Sequence, residues 1–175
     1  MSFQFKTLYR DTRSALSENP ETAVATFEAE SRQTAGLRSQ VAVRQFQVGV
    51  DEPAVLGGGD SAPNPVEYVL AALAACQEIT YRLHADGLGI PLNGVSAKVE
   101  GDIDLRGFFA VDAGVRPGYG DIVVSVTLDS PAPAAELARL KAAVDAHCPV
   151  LDIIRNPTPV HLDLATTNSA AAAAA

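Results

Sequence analysis

Residues 64–80 read N-P-V-E-Y-V-L-A-A-L-A-A-C-Q-E-I-T, and the fold turns on what this stretch forms. Asn64 can cap a helix, and Pro65 suits the first helical position, where its missing N–H goes unused. Glu67 stands where a capping box places its carboxylate. The apolar pattern runs to about Asp86 before Gly87, Gly89 and Pro91 stop it. A long central helix is therefore expected, with Cys76 well inside it. That thiol is either a small core hydrophobe or the reason the helix is there.

Upstream, residues 1–20 are mixed in character and close at Pro20, which predicts a short helix or a poorly ordered arm. Within residues 41–50, Ala42, Phe46, Val48 and Val50 alternate with Gln45 and Gln47, the pattern of a half-buried strand with Arg44 on its apolar side. Residues 51–64 are turn-rich. Three consecutive glycines invite a phosphate-loop reading, but that loop needs a Lys-Ser/Thr pair opening a helix, and Asp60 follows instead. A flexible turn is expected there.

Downstream, residues 94–105 and Asp121–Asp129 alternate as strands. Ala134–His147 repeats Leu137, Leu140 and Val144 as a second amphipathic helix, which Pro149 ends. Residues 150–155 form a short segment, and residues 158–164 (TPVHLDL) read as a last strand. The order of strands, long helix, strands, helix, strand is α+β rather than a regular βαβ winding. One domain is expected over residues 21–165, preceded by the arm or helix at 1–20 and followed by a polyalanine tail at 166–175.

Composition narrows the function classes. At 47% apolar and 19% charged residues, the 175-residue chain can bury a core, so wholesale disorder is excluded. A net charge of −8 without any basic run argues against a nucleic-acid partner. The longest apolar stretch, 68–76, is too short to span a bilayer, and the first residues lack an apolar signal core. A soluble cytoplasmic protein without membrane contact is expected. Two cysteines exclude a disulfide framework and every four-Cys zinc site. His84, His147 and His161 follow no ligand spacing, and His147 beside Cys148 makes at most a two-ligand fragment, so no metal is expected.

Cys76 and Cys148 each lie on a helix, and the two helices are expected to pack on one sheet. A reactive pair needs a low-pKa nucleophile and a second thiol within reach. Cys76 lies about three turns from Asn64, and the helix dipole fades within the first turn. An isolated thiol titrates near ~8.5, so a cation must help. Arg82, six residues on, faces away from Cys76. Arg32, Arg38 and Arg44 remain. Arg44 is favoured by strand alternation, although an arginine snorkelling at a strand end fits the pattern as well.

These residues resemble the osmotically inducible protein C and organic hydroperoxide resistance superfamily over roughly residues 22–164. The resemblance is carried by N64-P-V-E-Y-V-L-A-A-L-A-A-C76, by H-C148-P-V, and by the L56-G-G link; the long connection at 51–65 points to a poorly characterised branch. It implies an intertwined homodimer in which a six-stranded sheet from each chain wraps around paired central helices. It also implies a cofactor-free thiol peroxidase: Cys76 attacks an organic hydroperoxide, Cys148 resolves the sulfenic acid as a disulfide, and an external dithiol reductant restores both thiols. Family peroxidases hold an Arg–Glu pair beside the thiol. The family arginine aligns best with Arg32, with Arg44 as rival. The glutamate position is Val66 here. Glu67, nine residues before Cys76 and about 180° around the helix from it, is better explained as the capping acid.

Three readings stay open: an organic hydroperoxide peroxidase acting through Cys76 and Cys148, a non-catalytic relative binding a small apolar ligand or partner in the dimer cleft, and a redox sensor or thiol-transfer protein using the same thiols with slow peroxide turnover.

Overall fold

The computed structural model of the chain describes residues 3–166. Five helices and five strands follow one another: α1 (Lys6–Glu18), β1 (Glu30–Ala35), β2 (Arg38–Val43), β3 (Phe46–Val50), α2 (Pro65–Leu88), β4 (Gly94–Asp102), α3 (Leu105–Phe108), β5 (Asp121–Asp129), α4 (Ala134–His147) and α5 (Pro149–Arg155). The strands make two antiparallel sheets, β1-β2-β3 and β4-β5. The second pairs without a break from Gly94 opposite Asp129 to Asp102 opposite Asp121. This is the expected α+β arrangement.

Central helix α2 starts as its sequence demands. The Asn64 side chain accepts from the Glu67 N–H at 2.9 Å, and Glu67 accepts from the Asn64 N–H at 2.8 Å, a complete capping box. The helix outlasts its expected end by two residues, to Leu88, and Gly89 closes it in the left-handed region. Gly87 is thus interior to the helix. A β-carbon there would stand 2.4 Å from the Tyr9 ring, so this glycine makes room for α1. Residues 1–20 accordingly hold a docked helix over Lys6–Glu18: buried Asp86 accepts the Phe5 N–H at 2.8 Å, and the Tyr9 ring meets His84 edge-on.

The core lies where α2, α4 and the residues after α2 meet: Tyr81, Ala85, Ile90, Leu92, Leu140, Val144 and Cys148. Leu140, Val144 and Cys148 fall four residues apart, one continuous stripe along α4. Cys148 links α4 to α5 in an extended conformation, as a residue before proline prefers, and Pro149 opens α5 at its first position.

Three expectations need correction. Residues 41–50 are two strands rather than one, because the chain reverses at Arg44 and Gln45 between paired Val43 and Phe46. Arg44 takes φ +54° at this turn and is exposed, so it does not sit on the apolar face of a strand. Residues 103–105 leave β4, and Leu105 instead begins α3. Residues 158–164 form no strand, since no strand among the described residues pairs with them. The polyalanine tail lies, beyond Thr166, outside the described residues.

The glycine-rich connection is tied down rather than flexible. The buried Asp51 carboxylate accepts from the backbone N–H groups of Glu52, Gly59 and Ser61 and from the Ser61 hydroxyl. Gly58 allows this, because a β-carbon there would lie 1.9 Å from the Glu52 carbonyl oxygen. These donors, the Ser61 hydroxyl foremost, hold the Asp51 pKa down at about 2. A depressed carboxyl stabilises the fold fully above its unfolded value of ~3.9, and that stabilisation is lost as pH falls through about 2. Asp51→Asn is therefore expected to melt at lower temperature than the wild type at pH 7, with the gap closing between about pH 4 and pH 2. Thermal unfolding across that range checks it; a gap unchanged at pH 2 would contradict it.

No helix among the described residues is long and apolar enough to cross a membrane.

Candidate active site

Two elements bring the thiols together. Cys76 sits in the fourth turn of α2, and Cys148 sits at the junction of α4 and α5, held by the core stripe. Their sulfurs are 3.4 Å apart, within S–H···S reach and 72 residues apart in sequence. Both are free thiols. Cys148 is 1% exposed, whereas Cys76 is only half-buried and so is the sulfur open to an incoming molecule.

Several groups act on the Cys76 thiol. Burial is the largest influence and pushes its pKa up. The Val150 backbone N–H, in the first turn of α5, pulls it down. Neighbouring Cys148 pushes it up again, and the Thr80 hydroxyl pulls it down. The net direction in the single chain is upward. No cation is among these influences.

The arginines singled out in the sequence lie elsewhere within one chain. Arg32 is on β1, its side chain 80% exposed, donating to Glu30 at 2.8 Å. Arg44 stacks its guanidinium over the Phe46 ring at 5.3 Å. Arg82 does turn away from Cys76, donating to the Leu92 carbonyl at 2.7 Å. Val66, where a peroxidase would keep its glutamate, accepts the Tyr119 hydroxyl at its carbonyl oxygen, 2.9 Å away. Glu67 is occupied by the capping box.

Thr80 and Val150 were not marked by any motif. The available signals were positional: Thr80 is one turn beyond Cys76 on the same helix face, and Val150 follows a proline that opens a helix. A cavity of about 950 Å³ lies between α2, β5, α4 and α5, and neither cysteine is in its lining. Its walls combine apolar Leu73, Val124 and Leu151 with charged Arg116, Lys141 and Arg155, and buried Gln77, next to Cys76 in sequence, also lines it. Among the described residues, no group of three or more His, Cys, Asp or Glu side chains could hold a metal ion.

A family model described as OsmC-like protein matches residues 57–163. No curated protein sequence matches the chain. Among solved structures, an OsmC-like protein from Mycoplasma pneumoniae is similar, with 19% identity, a TM-score of 0.66, and coverage of 76% of this chain and 89% of that one. An organic hydroperoxide resistance protein OsmC from Legionella pneumophila shares 24% identity and a TM-score of 0.59 over 75% of this chain and 90% of that one. One described as an organic hydroperoxide resistance protein, from Elizabethkingia anophelis, shares 22% identity and a TM-score of 0.56 over 77% and 91%. At these identities the likeness is one of fold.

Proposed function

We propose that this chain, which belongs to the OsmC-like protein family, is a thiol-dependent peroxidase that reduces organic hydroperoxides. The observation that carries this reading is the 3.4 Å separation of the Cys76 and Cys148 sulfurs. The Cys76 thiolate attacks the distal oxygen of ROOH; the O–O bond breaks, ROH leaves with a proton, and Cys76 becomes a sulfenic acid. Cys148 then displaces water from that sulfur, forming a disulfide of ~2.05 Å. An external dithiol takes up the oxidation and restores both thiols, consistent with a cytoplasmic setting in which thiols are kept reduced. Sulfur carries both electrons, so the cycle draws on no cofactor.

The thiolate requires a cation that one chain does not bring to it. A second copy supplies it in this reading, delivering its Arg32 or Arg44 from the β1-β2-β3 sheet. Unpaired chain supports such a homodimer. β1 is exposed along its length, Phe27 and Leu162 are 86% and 91% exposed, and residues 158–164 pair with no strand among the described residues.

One equivalent of cumene hydroperoxide is expected to convert both free thiols into a Cys76–Cys148 disulfide within seconds, seen as a mass loss of about two hydrogens and one linked peptide pair. Thiols that persist for minutes would remove the peroxidase reading.

A second reading has its own support. The apolar wall of the cavity, the upward push on Cys76 and Val66 in place of an acid suit a protein that holds a small, largely apolar ligand. A bound molecule copurifying with the wild type, detected by mass spectrometry, together with inert thiols, is the outcome that favours it.

A further inference from the structure

We propose that the cavity between α2, β5, α4 and α5 binds a small amphipathic anion, a monocarboxylate with an apolar tail, whose head group Gln77 and Tyr81 hold. The inference rests on the ligand-holding reading and gives that ligand a chemical class. Neither cysteine lines the cavity, so the ligand is bound apart from the thiols and is not consumed by them. Gln77 and Tyr81 stand one turn apart on one face of α2, and both line the cavity. Each is only 3% exposed. Neither side chain has a hydrogen-bond partner among the described residues, yet none of the fully enclosed side-chain nitrogens and oxygens there lacks one. The amide and the hydroxyl therefore look onto open space, and the cavity they line is that space.

A buried polar group left unpaired is costly, so these two side chains call for a polar partner from outside the chain. Burial, and then the charge of Asp145, push the Tyr81 phenol pKa up, which keeps its proton in place and leaves it a donor. The Gln77 amide donates as well. Charge decides between a neutral head group and an anionic one. Arg116, Lys141 and Arg155 line the cavity against Asp121 and Asp145, and Lys141 is already paired with Asp145. Arg116 and Arg155 have no ion-pair partner among the described residues. The lining is thus positive in a chain of net charge −8. The two arginines come from the loop before β5 and from the end of α5, so their fields add across the cavity rather than along one wall. Leu73, Val124 and Leu151 face the tail. A volume of about 950 Å³ falls in the range of ~300–1,000 Å³ that small-molecule sites occupy.

The test measures binding of octanoate and of 1-octanol, which has a similar tail and a neutral head, to the full chain by isothermal titration calorimetry. Octanoate is expected to bind about tenfold more tightly than 1-octanol, with an affinity that falls as salt is raised. Gln77→Leu keeps the bulk and removes the amide. It is expected to weaken octanoate about tenfold and to leave 1-octanol within about twofold. It is also expected to melt no lower than the wild type, because the amide has no partner inside the protein. Tyr81→Phe stands in if the leucine variant does not fold. Arg155→Gln is expected to flatten the salt dependence of octanoate binding. Equal affinity for the two ligands overturns the anion assignment and leaves the ligand-holding reading in place. A Gln77→Leu or Tyr81→Phe protein that binds octanoate like the wild type overturns the proposed head-group site. No heat from either ligand overturns the proposal and the ligand-holding reading together, and a change of oligomeric state in these variants would then show that a second copy fills the cavity.

Discussion

Cys76→Ser is expected to lose organic hydroperoxide consumption by about 10³-fold or more, the scale on which removal of a covalent nucleophile acts. The alcohol is far less acidic than the thiol, and neither Thr80 nor Val150 can generate an alkoxide at neutral pH. Cys148→Ser is expected to differ in kind. It should consume one equivalent of peroxide in a burst and then stall, because the sulfenic acid at Cys76 has no partner at 3.4 Å. Coupled peroxide assays over the first turnover separate the two patterns. Equal, multi-turnover activity in Cys148→Ser would place the resolving step elsewhere.

Leu140→Ala carries the largest expected effect on stability. Leu140 and Val144 are 0% exposed and share the α4 stripe with Cys148, packed against Tyr81 and Ala85 of α2. Truncating a buried leucine costs about 2–5 kcal/mol, from lost transfer energy and the cavity left behind. For a chain of this size that lowers the melting temperature by about 4–20 °C. Because the same stripe fixes Cys148, the variant is also expected to close its disulfide more slowly even at temperatures where it remains folded. Differential scanning calorimetry and timed thiol trapping check the two halves of this prediction. Val144→Ala, one turn nearer Cys148, provides the internal comparison.

Legibility of the fold followed the range of the interactions that decide each element. The capping box of Asn64 and Glu67, strand β5 and helix α4 were readable because each is set by residues within a few positions of one another. Arg44 was not, since alternation over residues 41–50 runs through a two-residue reversal without changing its apolar pattern. The same pattern that gave Arg44 a buried place was made by two strands instead of one. Residues 158–164 carry a strand-like alternation of Val160, Leu162 and Leu164, but alternation only says which side is apolar and cannot provide the neighbouring strand. The glycine run looked flexible because the residue that organises it, Asp51, lies six positions before Gly57 and acts through backbone donors that no motif encodes.

The candidate site divided in the same way. The two cysteines were found from chain-wide pairing, and the structure brings them within 3.4 Å. Their immediate donors were invisible in the sequence. A threonine in a helix and a valine after Cys-Pro are ordinary residues until the fold sets both to pull the Cys76 pKa down. The arginines were picked by charge alone, and charge says nothing of the distance to be bridged within one chain.

The central claim, that Cys76 is the sulfur oxidised first, is tested most directly in Cys148→Ser. The variant is treated with one equivalent of cumene hydroperoxide in the presence of dimedone, which marks sulfenic acids, and the adduct is mapped by mass spectrometry. A near-stoichiometric adduct on Cys76, formed within seconds, is the predicted result. No adduct on Cys76 after complete exposure, with its thiol recovered intact, would contradict it.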